Sequence, residues 1–121
     1  MQMAVIIEGN VILRACKNLV RLKGITEIKG ALDLEGCSKF KDLGKLREVG
    51  GNLYLQNTLL KDLGNLEKIG GSLDLENNTQ IEDLGELREV GVYVFLNKNS
   101  KITEEYVKKH KPELLSDCRW L

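Results

Sequence analysis

Four sets of side chains in this chain have types and spacing that could do chemistry. The first is a cysteine pair, Cys16 and Cys37, at equivalent places in a recurring segment. Stacked on neighbouring strands, they would lie within bridging distance for a disulfide or a metal. The same column continues as Thr58, Asn78 and Asn99, small polar residues that suit a turn where backbone groups become buried. We therefore expect a turn ladder there, with Cys118 a packing or surface thiol. The second set is Asp42, Asp62 and Asp83, a like-charge column that could hold a cation. Each of these precedes Leu-Gly, however, and aspartate readily accepts a hydrogen bond from the backbone of its own turn. No second column of oxygen ligands accompanies them, so we expect turns and no metal. The third is His110, the one histidine, within Lys108-Lys109-His110-Lys111. Nothing in the spacing puts a serine, cysteine or carboxylate beside it, and the chain carries no catalytic constellation. The expectation is a non-enzymatic protein without a cofactor.

The fourth set points to binding. Five short stretches alternate apolar and other residues, and their outward positions read Asn10/Ile12/Arg14, Ala31/Asp33/Glu35, Asn52/Tyr54/Gln56, Ser72/Asp74/Glu76 and Tyr93/Phe95/Asn97. Tyr54, Tyr93 and Phe95, with an outward Ile12, project where polar side chains would satisfy folding. Aromatic side chains on a rigid sheet are what interface hot spots use. Asp33, Glu35, Asp74 and Glu76 surround Tyr54 with negative charge. The expected partner is another protein carrying a basic, partly apolar patch.

The elements that must position these residues come from a repeat of about 21 residues. Its copies begin at Gly9, Gly30, Gly51 and Gly71, and a drifting last copy begins at Val92. Such units bury their apolar sides only by stacking on one another. Each opens with period-two alternation: Val11-x-Leu13, Leu32-x-Leu34, Leu53-x-Leu55, Leu73-x-Leu75 and Val94-x-Leu96. This predicts parallel strands near residues 11–14, 32–35, 53–56, 73–76 and 94–97, side by side in one sheet. The apolar spacing then changes to threes: Leu19/Leu22/Ile25/Ile28, Phe40/Leu43/Leu46/Val49, Leu60/Leu63/Leu66/Ile69 and Ile81/Leu84/Leu87/Val90. Three residues per turn is the 3₁₀ repeat, so the return segment is expected as short 3₁₀ turns or extended chain. Arg47/Glu67/Arg88 and Glu48/Lys68/Glu89 alternate in sign from unit to unit, which favours the correct stacking register at a few tenths of a kcal/mol per exposed pair.

With LxLxx(N/C)xxL followed by a short return, the chain resembles the leucine-rich repeat family over roughly residues 5–102. The run from Leu60 to Leu75 is similar to the short glycine-closed repeats of bacterial and phage proteins, and more distantly to the repeats of receptor L domains. No cysteine-rich cap flanks the array, and Lys23 stands where later copies have Gly44, Gly64 and Gly85. The resemblance implies an α/β repeat solenoid: a right-handed coil with a concave parallel β-sheet, a 3₁₀ or extended convex side and a C-terminal helical cap. It also implies a protein ligand on the concave face, and a small phage-type inhibitor of a host protein as one form of that role. The alternative, from another class, is a structural, self-assembling repeat protein.

Residues 1–121 make a single domain: a partial coil at 1–8, about five repeats at 9–102 and a cap at 103–121. Thr103-Glu104-Glu105 reads as an N-cap with an acidic first turn, opening a helix through about His110. Pro112 breaks it, and Leu114, Leu115 and Trp120 are placed to shield the last coil. Met1–Ile7 is thin, apolar cover at the other end and could pair weakly with a second copy. Lys and Arg number 18, as do Asp and Glu, so nothing global draws the chain to nucleic acid or an anionic membrane. Residues 1–60 hold nine basic against six acidic side chains, and residues 61–121 hold nine against twelve. The first residues lack a basic leader, no stretch reaches the length of a membrane span, and an odd three cysteines suit a reducing compartment. A cytoplasmic protein is expected.

Overall fold

The alternating leucines pair from unit to unit in fixed register. In the computed structural model, which describes residues 3–121, every strand pair is parallel. The strands β2 (Val11–Ile12), β4 (Leu32–Asp33), β6 (Leu53–Tyr54), β8 (Leu73–Asp74) and β10 (Val94–Leu96) lie in sequence order within one sheet. Val11, Leu32, Leu53, Leu73 and Val94 face one another across it, and all but Val11 are fully buried. A buried leucine or valine contributes about 1.5–3 kcal/mol, and this column repeats the gain at each step.

The sheet is not alone, which corrects the expectation of one. A second parallel sheet runs along the return segments: β1 (Ile6–Ile7), β3 (Glu27–Ile28), β5 (Glu48–Val49), β7 (Lys68–Ile69) and β9 (Glu89–Val90). The return chain ends extended, and its charged-then-apolar pairs send Ile28, Val49, Ile69 and Val90 into the core. Threefold spacing survives as isolated turns, in which Leu46, Leu66 and Leu87 donate to the carbonyls of Leu43, Leu63 and Leu84 at 3.3, 3.1 and 3.1 Å. The two sheets sandwich a single apolar core. Where they meet, Gly50, Gly70 and Gly91 stack so closely that a Cβ at Gly91 would strike the Gly70 carbonyl oxygen. At these three glycines the corner admits no side chain.

The first unit solves the return turn differently. In the later units Gly44, Gly64 and Gly85 take the left-handed conformation, with φ of 64°, 55° and 57°. Lys23 occupies the equivalent position in the first, and the left-handed residue there is its neighbour Gly24, at φ 76°. The turn slides one residue to reach a glycine.

At the C-terminus, Thr103 caps α1 (Glu104–His110), its side chain accepting from the Tyr106 N–H at 3.0 Å. A 3₁₀ helix follows at Pro112–Asp117. The chain then adds a sixth strand, β11 (Cys118–Trp120), parallel to β10, so the cap is a strand as well as helices. Trp120 donates its indole N–H to the Ile102 carbonyl at 2.8 Å, and Leu96, Ile102, Val107 and Leu114 are all buried beneath this layer. The N-terminal unit has no such cover among the described residues. Met3, Val5, Ile6 and Ile12 are exposed there, while Val11, Leu13 and Leu19 are only partly buried. Met1 and Gln2 of the expected N-terminal coil lie outside the described residues.

Candidate functional site

Outward residues of the first sheet form a column by strand register: Ile12, Asp33, Tyr54, Asp74, Phe95 and Arg119. Neighbours in such a column are about 4.8 Å apart, so two aromatic rings bracket Asp74. Asp33, Tyr54, Asp74 and Phe95 belong to two- or three-residue strands held on both sides by backbone bonds; Leu34 donates to the Tyr54 carbonyl and Leu55 to the Asp74 carbonyl, at 2.9 and 3.0 Å. Rigid backing of this kind lets an aromatic side chain bind with little loss of conformational freedom.

The named residues fall into two groups. At the C-terminal end, Tyr93 and Phe95 meet edge to face with ring centroids 5.7 Å apart. The Arg119 guanidinium covers the Tyr93 ring at 4.5 Å, a cation–π contact from the sixth strand. Tyr93 nevertheless stays 40% exposed, with exposed Val92 and Leu121 also belonging to this end of the chain. Midway along the sheet, Tyr54 is half-buried, and its hydroxyl accepts from Asn52 Nδ2 at 2.9 Å. Asp74 Oδ1 accepts from the Glu76 N–H at 3.0 Å and Oδ2 from Gln56 Nε2 at 3.0 Å. Burial pushes the Asp74 carboxyl above the usual aspartate range; the Glu76 N–H opposes this, and the like charges of Glu76 and Glu35 add to it.

At the N-terminal end the face is already neutralised. Asp33 is 5% exposed, and Arg14 Nε donates to its Oδ2 at 2.9 Å. The same guanidinium reaches Glu35 Oε2 at 3.2 Å. Ile12, 60% exposed, ends the column on the open edge. Tyr93, Phe95, Tyr54, Asp74 and Glu76 thus make one half of the face, and Asp33, Glu35 and Ile12 another, the latter with its acids tied up by Arg14. Sequence reasoning placed Gln56 on this face without its bond to Asp74, and missed Arg119 altogether. Only the alternation Cys118-x-Trp120, which copies the strand pattern outside the repeats, could have signalled Arg119.

The opposite sheet is charged and internally satisfied. Arg47 Nε donates to Glu67 Oε2 at 2.9 Å, and Arg88 Nη2 lies 3.4 Å from Glu67 Oε1. Arg47 chiefly holds the Glu67 carboxyl below its ordinary range, with burial opposing and Arg88 adding to the lowering. Lys68 sits between Glu48 and Glu89 at 4.0 and 3.4 Å. A recess of about 740 Å³ lies along this ladder, with Arg47, Glu67 and Arg88 on its wall and Met3 and Ile6 also lining it.

The remaining candidates have structural partners. Asp42, Asp62 and Asp83 each accept from the glycine N–H two residues on, at 2.7, 2.8 and 2.7 Å. Cys37 Sγ donates to the Leu13 carbonyl at 2.9 Å, and Thr58 and Asn78 bond to each other and to the Leu55 carbonyl. Burial raises the Cys37 thiol and pushes Cys118 up to about 11, which leaves both poor nucleophiles. His110 packs against the Tyr106 ring, centroids 4.8 Å apart. No group of three His, Cys, Asp or Glu side chains placed to hold a metal occurs among the described residues. No helix among them is long and apolar enough to cross a membrane. Comparison of the chain with protein-family models, curated proteins and solved structures gives no match.

Proposed function

We propose that this chain is a leucine-rich-repeat solenoid that works without catalysis, binding another protein on the outward face of its first sheet. The observation that carries the reading is the contrast in how surface side chains are used. On the second sheet, charges meet charges of the same molecule. On the first, Tyr54, Tyr93 and Phe95 share a rigid face with Asp74 and Glu76, whose charge no Lys or Arg among the described residues offsets. A partner with a basic, partly apolar patch would bury the rings and neutralise the acids. Asp33 and Glu35 then act mainly through Arg14, and Ile12 extends the apolar contact at the edge. Three free thiols suit a reducing, cytoplasmic setting, and a small inhibitor that covers a host protein's functional surface is one form the role could take. The test is affinity capture from native lysate with the wild type beside Tyr54→Ala and Phe95→Ala variants. A protein held by the first and lost by the others supports the reading; equal capture overturns it.

A second reading is structural self-assembly, and the open N-terminal unit favours it. Met3, Val5, Ile6 and Ile12 are exposed where the other end of the stack is covered. Two copies meeting there would bury this apolar edge, although Arg14, Lys17, Arg21, Lys23 and Lys29 around it would repel. Light scattering at high micromolar concentration decides: a dimer that becomes monomer on Val5→Lys and Ile6→Lys supports it, and a monomeric wild type ends it.

A further inference from the structure

Two Asp-x-Glu pairs lie on the same sheet face, two units apart, and the molecule completes only one of them. The backbone sets both alike: the Glu35 N–H donates to Asp33 Oδ1 and the Glu76 N–H to Asp74 Oδ1, each at 3.0 Å. From the unit before the first pair, Arg14 bridges both carboxylates, at 2.9 Å to Asp33 and 3.2 Å to Glu35. The residue that reaches the second pair from the preceding unit is Gln56, whose Nε2 donates to Asp74 Oδ2 at 3.0 Å. An amide can donate but brings no charge. Asp74 and Glu76 therefore keep the negative charge that Arg14 cancels at Asp33 and Glu35.

An independent observation points the same way. Gln56 Oε1 is buried beside Asp74 and accepts no hydrogen bond among the described residues. An acceptor without a partner in a buried position is unfavourable, and what it lacks is a donor. In register, Tyr54 and Phe95 stand on either side of Asp74, and aromatic rings are the side chains on which a flat cation stacks.

We propose that Asp74, Glu76 and Gln56 form the seat for an arginine guanidinium of the bound partner, flanked by Tyr54 and Phe95. The inference rests on the sheet-face reading above and names the chemistry that face recognises. A guanidinium has five donors in a planar fork. It can bridge the two carboxylates as Arg14 does, stack on an aromatic neighbour, and serve Gln56 Oε1 after a rotation of that amide. A lysine ammonium is a compact charge that neither bridges nor stacks as well.

The experiment is an NMR titration of the ¹⁵N-labelled chain with the capped peptide acetyl-Leu-Arg-Leu-amide and with its citrulline counterpart, which keeps the shape and loses the charge. The arginine peptide should shift the amides of Gln56, Asp74, Glu76 and Phe95, with citrulline weaker by about tenfold. Gln56→Arg supplies the guanidinium within the chain, as Arg14 does for the first pair, and should abolish the response while other amides stay in place. Glu76→Gln leaves the backbone bonds intact and should weaken the response several-fold. The seat is overturned by the absence of shifts up to about 50 mM peptide, by equal shifts with citrulline, or by shifts centred on Arg47, Glu67 and Arg88. Capture of the natural partner separates the two failures. Partner binding that needs Tyr54 and Phe95 but survives Gln56→Arg overturns the arginine seat and leaves the sheet-face reading standing. Partner binding that ignores all three overturns both.

Discussion

The two sheets of this protein are built from the same repeat, yet their outer faces are resolved in opposite ways. Along the second sheet, Arg47, Glu67 and Arg88 alternate, as do Glu48, Lys68 and Glu89, and these three units find their counter-charges on one another. Along the first, the column runs Ile12, Asp33, Tyr54, Asp74, Phe95, Arg119. Only its ends are balanced, by Arg14 on Asp33 and by Arg119 on Tyr93. A face that closes its own electrostatics needs nothing from outside. A face that leaves rings and carboxylates open at its centre has affinity to offer, and from this difference we read the site.

The contrast can be broken or sharpened by substitution. The largest effect should come from deleting residues 112–121, which removes β11 from the first sheet and the 3₁₀ helix packed beside β9 at the end of the second. Leu114, Cys118 and Trp120 leave with it, uncovering Leu96 and Ile102. The loss should be at least about 3 kcal/mol, or roughly 10 °C in melting temperature, together with aggregation typical of an uncapped array. An unchanged melt and a monodisperse product would mean that the cap contributes nothing. Next in size is Ala15→Gly. Ala15 takes φ 55°, where the equivalent positions are Gly36, Asn57 and Asn77. Relieving a left-handed alanine should stabilise by about 1 kcal/mol in chemical denaturation, in the open first unit alone.

Breaking the charge ladder with Glu67→Ala should lower the melting temperature only slightly, and less in high salt, because its partners are exposed. The smallest effect is expected at Asp74. Its carboxyl is raised in the folded state, so the fold binds its proton more tightly than the unfolded chain does. That contribution is full below the ordinary aspartate range and is lost as pH rises through the folded value. Asp74→Asn should therefore melt slightly higher than wild type at neutral pH, with the gap closing as pH falls through and below the aspartate range. A gap that widens on acidification would reverse the sign.

How far these features could be read from residues alone depended on how many times each was written. Leucines at period two in five copies set the register of the first sheet, and threefold spacing set the turns that follow. The second sheet was missed because the apolar residue of its repeat strands, as in Glu48–Val49, is the last member of the threefold series and belongs to no alternating stretch. They are strands only because the next unit pairs with them. The sixth strand, Cys118-Arg119-Trp120, is a single copy beyond the repeat, with only the brief alternation Cys118-x-Trp120 to signal it. The shift of the left-handed turn to Gly24 came from one substitution, at Lys23. On the candidate site, alternation named the residues that project outward but not their companions. Arg14 with Asp33, and Gln56 with Asp74, are partners across 19 and 18 residues. Which of two chemically similar acid pairs is neutralised depends on the side chain delivered by the neighbouring unit, which is a matter of geometry.

The central claim, that the first sheet's outward face is the binding surface, is tested most directly by the dissociation constant of the captured partner for six proteins. These are the wild type, Tyr54→Ala, Phe95→Ala, Gln56→Arg, and the second-sheet controls Arg47→Ala and Glu89→Ala, each checked for an unchanged fold by its amide spectrum. Each aromatic truncation should weaken binding by about 2 kcal/mol or more, roughly thirtyfold, with both controls indistinguishable from wild type. Binding that tolerates Tyr54→Ala and Phe95→Ala but fails with Arg47→Ala or Glu89→Ala would place the partner on the other sheet and contradict the account.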